Sequence, residues 1–120
     1  MKVLLCENED ITRAAIEFRL TRQGHEVVRA KNGKEAKKIL ADDPFDLLLA
    51  DMAMTGLPMN DLVIWLRGEQ NSGMPIILIA DLDEDNEPLL EAMRAGANDF
   101  ITKPFKPVEM QLRIRRLIQF

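Results

Sequence analysis

The sequence predicts an α/β domain: a doubly wound, five-stranded parallel sheet with strand order 2-1-3-4-5. Three observations carry this. Five short apolar runs alternate with five segments of helical periodicity, joined by short connections. The clearest of the runs is apolar throughout rather than alternating, as strands covered by helices on both faces are. The chain is 120 residues long with no internal repeat or linker, so residues 1–120 make one domain, able to bury roughly two thirds of the surface its extended form exposes.

The central run is Leu47 to Ala50, flanked by Asp46 and Asp51. In chain order, Val3 to Cys6 is a buried strand ending in the acidic cluster Glu7, Asn8, Glu9, Asp10, and Asp10 is placed to cap the helix that follows. That helix carries Ile11, Ala14, Ala15 and Phe18 at helical spacing and stops at Gly24. His25, the only histidine, has no second histidine or cysteine near it in sequence and reads as a loop residue. Glu26 to Ala30 is the second strand. Asn32-Gly33 reads as a turn before a helix with Ala36, Ile39 and Leu40, which ends at Asp43-Pro44.

After the central strand, a loop from Met52 to Asn60 contains Gly56 and Pro58, and a helix through Leu62, Trp65 and Leu66 runs to about Glu69. Ile76 to Ala80 is a buried strand followed by the acidic loop Asp81 to Asp85. The next helix runs from near Pro88 to Ala95, before Gly96. Asn98 to Thr102 is the last strand, Lys103-Pro104 follows it, and Pro107 opens the last helix, with Val108, Leu112, Ile114 and Ile118 spread over its faces.

Composition excludes several classes. A net charge of -4 argues against a nucleic-acid surface, although Arg113, Arg115 and Arg116 are locally basic. Cys6 is the single cysteine, fits a reducing compartment and reads as a buried structural thiol. No apolar run approaches the ~20 residues needed to cross a membrane, and acidic residues by position 7 do not suit a signal peptide. The expected location is cytoplasmic.

In the order 2-1-3-4-5 the first and third strands are neighbours where the order reverses, the place at which such sheets bind ligands. Glu7, Asn8 and Asp51 then flank one crevice, and the fifth strand lies roughly 9 to 10 Å from the third, within reach of Lys103. Clustered carboxylates need a counter-charge, and hard oxygen ligands suit Mg²⁺ or Mn²⁺. An aspartate between a divalent ion and a lysine is arranged to accept a phosphoryl group, because both cations neutralise charge on the transferred oxygens.

Over essentially its whole length, and most specifically in LLLADMAMTG around Asp51 and GANDFITKPF from Gly96 to Phe105, the sequence resembles the receiver domain of bacterial two-component response regulators, a flavodoxin-like fold. The resemblance implies that Asp51 is phosphorylated by a partner histidine kinase or phosphotransfer protein and that Lys103 binds the phosphoryl group. It also implies that the Ala53 carbonyl is a metal ligand, that Glu7 and Asn8 stand in the places of the acidic pair holding the metal, and that Phe100 is the aromatic switch. The chain departs from the family pattern in four places. Asn8 replaces an aspartate, Ala80 stands where a Ser or Thr hydroxyl binds the phosphoryl group, Thr55 replaces a proline, and Met59 falls where glycine is common.

Asn8 implies weak Mg²⁺ binding, and the small Ala80 leaves room for the Phe100 ring to turn inward without phosphate. The expected output is an effector domain or a homodimer, engaged through the last two helices and the final strand. A degenerate receiver that binds a partner without phosphorylation is the competing reading. Enzymatic readings are weaker: both an aspartate-nucleophile phosphohydrolase and a cobalamin module need another residue where Ala53 stands.

Overall fold

Ten elements alternate along the chain of the computed structural model, which describes residues 1–118; Gln119 and Phe120, the end of the expected domain, lie outside the described residues. They are β1 (Lys2–Cys6), α1 (Asp10–Arg22), β2 (Glu26–Arg29), α2 (Gly33–Asp42), β3 (Leu47–Asp51), α3 (Met59–Arg67), β4 (Ile76–Asp81), α4 (Glu87–Ala95), β5 (Asp99–Lys103) and α5 (Pro107–Ile118). All pairings are parallel and the sheet order is β2-β1-β3-β4-β5, as the sequence predicts.

Strand periodicity divides the interior into two cores. Leu4, Cys6, Leu48, Ala50, Ile76, Leu78 and Ala80 pack on the side of α2, α3 and α4, against Ala36, Leu62, Leu66, Leu89 and Ala92. Val3, Leu5, Leu47, Leu49, Ile77, Ile79 and Ile101 pack on the other side, against Ile16 and Leu20 of α1 and Met110 and Ile114 of α5. Because both faces are covered, β3 is buried along its whole length, which explains its unbroken apolar run.

The structure corrects three readings. The periodic set Ile11, Ala14, Ala15 and Phe18 is the outer face of α1: Ile11 is 84% and Phe18 65% exposed, and Ile16 and Leu20 carry the burial. Asp10 is the first residue of α1 rather than its cap. Glu9 is the cap position, and Asp10 accepts instead from Arg13 Nη2 at 2.7 Å. Asn32 and Gly33 are not a free turn but the cap and first residue of α2, with Asn32 Oδ1 accepting from the Glu35 N–H at 2.9 Å.

Candidate functional site

Register brings the site together. Val3 pairs with Leu47 and Leu5 with Leu49, so Glu7 and Asp51 continue two adjacent rows on the α1/α5 side of the sheet. Lys103 ends β5 two residues beyond Ile101, which belongs to the same side. The three side chains meet at the C-terminal edge of the sheet: Lys103 Nζ lies 2.7 Å from Asp51 Oδ2 and 3.1 Å from Glu7 Oε2. The Glu7 side chain is wholly buried, that of Asp51 is 9% exposed and that of Lys103 20%.

Backbone donors hold both carboxylates. The Ala53 N–H donates to Asp51 Oδ1 and the Glu9 N–H to Glu7 Oε2, each at 2.8 Å. Burial pushes the Glu7 carboxyl above the ordinary carboxylate range. The Glu9 N–H and Lys103 oppose this, and the neighbouring Asp51 carboxylate adds to it. Burial alone would lower the Lys103 ammonium, but the hydrogen bonds and charges of Asp51 and then Glu7 outweigh it and hold the group above its ordinary value.

A cation would complete this set. Glu7 Oε1 is buried with no hydrogen-bond partner among the described residues, and leaving a buried acceptor unsatisfied costs about 1–3 kcal/mol or more when it is charged. All the available donors are hard oxygens, the ligand type of Mg²⁺. Only two carboxylates contribute, however, and among the described residues no three His, Cys, Asp or Glu side chains gather as a metal cluster. Asn8 is exposed just beyond β1, where an aspartate would have supplied the third negative charge.

Ala80 and Phe100 lie differently from the charged triad. Ala80 is buried in the α4-side core, opposite in parity to Asp51, and lines a cavity of about 240 Å³ with Asp51, Met52, Ala53, Glu84 and Leu89. Phe100 shares that parity but belongs to edge strand β5, and the residue is 38% exposed. Space beside Ala80 is bounded by Leu89 and Pro88 at the start of α4 and by the β4–α4 loop.

Arg13 escaped the sequence reading. Its Nη1 donates to the Glu7 carbonyl at 3.4 Å, placing a second cation behind the site, and only the folded α1 brings it there. The Lys103–Pro104 peptide bond is cis. Cys6 is buried as expected, with burial pushing its thiol up to about 12. On the other side of Lys103, a groove of about 430 Å³ lined by Glu9, Ile11, Ala15, Asp83 and Phe105 joins the site to the exposed apolar face of α1.

Comparison with known proteins identifies the family. The family model described as response regulator receiver domain matches residues 3–115. The chain is 31% identical over 117 residues to the transcriptional regulatory protein AfsQ1 of Streptomyces coelicolor, covering 98% of this chain and 51% of that protein. It is 35% identical over 118 residues to the probable transcriptional regulator ycf27 of Porphyra purpurea, covering 98% and 47%. The chain thus spans about half the length of these relatives. Among solved structures it is similar to the receiver domain of the sensor histidine kinase PA1611 of Pseudomonas aeruginosa, described with a magnesium ion coordinated in its active site cleft. That match has a TM-score of 0.82 and 26% identity, over 96% of this chain and 94% of the other. It also superposes on the chemotaxis response regulator CheY4 of Vibrio cholerae, with a TM-score of 0.85 and 25% identity over 98% of each chain. A parallel sheet in the order 2-1-3-4-5, an Asp–Lys–Glu cleft at its switch point and a family match over nearly the whole chain lead to one conclusion: this chain belongs to the receiver domain family of two-component response regulators.

Proposed function

We propose that the domain is a phosphoacceptor switch in which Asp51 takes a phosphoryl group from the phosphohistidine of a histidine kinase or phosphotransfer protein. The observation that carries this is the 2.7 Å contact of Lys103 Nζ with Asp51 Oδ2 at the floor of a cleft. Transfer breaks the donor's P–N bond as a bond forms from an Asp51 oxygen to phosphorus, and the imidazole departs with the electron pair. Lys103 neutralises charge on the arriving oxygens, and the Ala53 N–H orients the carboxylate through Oδ1. Glu7, Asn8, Asp51 and the Ala53 carbonyl would hold Mg²⁺, and the same oxygen set accepts Mn²⁺. When bound, the ion supplies further neutralisation of phosphoryl charge.

The groove beside Lys103 and the apolar face of α1 offer the donor protein a continuous docking surface. The output face is that of α4, β5 and α5, where Leu90, Phe100, Val108 and Leu112 are exposed, and it engages an effector domain or a second copy of the chain. The domain acts in the cytoplasm, binds no nucleic acid itself and is not an enzyme in its own right.

A second reading, partner binding without phosphorylation, is favoured by Ala80, whose methyl group cannot bind phosphoryl oxygens. A hydrogen bond to a charged group is worth about 1.5 to 3 kcal/mol, against roughly 5.5 to drive a switch from 1:99 to 99:1, so its loss weakens coupling more than acceptance. Intact mass after incubation with acetyl phosphate and Mg²⁺ separates the two. A phosphoryl adduct is expected, and an unmodified mass at saturating donor would favour the phosphate-independent reading.

A further inference from the structure

The loop that follows Asp51 is held at both ends. At its start, Met52 N–H donates to the Ile79 carbonyl of β4 at 2.8 Å, and Ala53 N–H to Asp51 Oδ1 at 2.8 Å. At its far end it rests on the beginning of α2. The Gly33 N–H donates to the Thr55 carbonyl at 2.8 Å. Gly33 is buried, and a Cβ placed on it would lie 2.2 Å from the Leu57 carbonyl oxygen and 2.9 Å from Leu57 Cβ. Gly56 has φ +91° and faces the Asn32 side chain, to whose Cβ, Cγ and Oδ1 an added Cβ would come within 3.3 Å. Asn32 is itself fixed, because its Oδ1 caps α2 through Glu35 N–H at 2.9 Å, while Glu35 Oε1 accepts from Lys31 N–H at 3.1 Å.

We propose that the start of α2, Asn32 and Gly33, is a positioning bracket that sets the Asp51–Leu57 loop, and with it the Ala53 carbonyl, for the cation at the Asp51 site. The proposal rests on the reading of that site as an Mg²⁺ site. The physical reason is that a backbone ligand has no side-chain rotamer with which to adjust. Its oxygen goes where the loop goes, and Mg²⁺ tolerates little departure from octahedral geometry at short distance. A glycine at position 33 is the only residue that lets the loop backbone approach the helix this closely. Asn32 and Gly33 touch no ligand, so they are positioning residues whose effect travels through Thr55, Gly56 and Leu57.

The test uses the full chain, with Mg²⁺ as the probe and backbone amide NMR as the readout. Gly33→Ala, Asn32→Ala and Asn32→Ser are compared with the unaltered chain; the serine variant keeps a capping oxygen but loses the amide packed on Gly56, and it serves if Gly33→Ala does not fold. Each variant is expected to weaken Mg²⁺ by about tenfold or more, the usual scale for a residue that orients a metal ligand. Without metal, the Ala53 amide should lose exchange protection while Leu49 and Leu78 in the sheet keep theirs. Folded variants with unaltered Mg²⁺ affinity and unaltered Ala53 protection would overturn the bracket. If the unaltered chain itself binds no Mg²⁺, the cation reading fails. The bracket is then judged on Ala53 exchange alone, where unchanged protection refutes it.

Discussion

Glu7 is under the greatest electrostatic tension in the site: its side chain is fully buried, one oxygen lacks a partner among the described residues, and Asp51 is its neighbour. Its carboxyl is raised in the fold, so the stability it contributes is fully present below the ordinary carboxylate pKa and is lost as pH rises through the raised value. Glu7→Gln removes that titration. Urea unfolding should show the variant gaining on the parent chain as pH climbs from the carboxylate range toward neutrality, with the gain vanishing on acidification. A constant difference across that window would mean that Glu7 is not strained. Lys103 has the same sign at the other end of the scale: its contribution holds through neutrality and is lost only at alkaline pH, as pH rises through its raised value.

In the proposed Mg²⁺ site Asn8 offers a neutral oxygen where a carboxylate would carry charge. Asn8→Asp restores a negative oxygen at the end of β1 and should tighten Mg²⁺ by roughly tenfold, the scale on which changes around a metal ligand act. An unchanged titration curve would place Asn8 outside the ligand set. Asp51, Glu7 and Lys103 were legible in the sequence because strand ends and strand order are coarse features that survive small errors in element boundaries. Arg13 and the face on which Ala80 sits were not, since both depend on how a helix or strand is turned once it has packed.

Helix α1 shows how a periodic stripe can mislead. Ile11, Ala14, Ala15 and Phe18 recur at helical spacing as plainly as Ile16 and Leu20 do, and periodicity says that a stripe exists without saying which way it faces. The sheet and α5 choose Ile16 and Leu20. Ile16→Ala should therefore cost about 2–5 kcal/mol in chemical denaturation. Ile11→Ala and Phe18→Ala should stay within about 0.5 kcal/mol, as exposed positions do. Equal losses at all three positions would restore the face expected from sequence. Asn32-Gly33 shows a related ambiguity: two turn-forming residues start a helix here, because a capped N-terminus and a turn use the same residue types.

At the scale of the molecule, strand order and two-sided burial were readable because they follow from the alternation of strand and helix and from the unbroken apolar run of β3. The setting of the Phe100 side chain was not readable. Phe100 is 38% exposed on edge strand β5, while Ile101 on the opposite face of the same strand is 1% exposed among Met110 and Ile114. The same topology brings Glu7, Asp51 and Lys103, separated by up to 96 positions in the chain, within 3.1 Å of the lysine nitrogen. This convergence is what would make Asp51 the phosphoryl acceptor proposed above. Its most direct test is the amount and position of acid-labile phosphate after treatment with acetyl phosphate and Mg²⁺, in the parent chain and in Asp51→Asn. One phosphoryl group per parent chain is expected, mapped to the peptide containing Asp51, and none on the variant. Undiminished phosphate on Asp51→Asn, or a label mapped to Glu7 or Glu9, would contradict it.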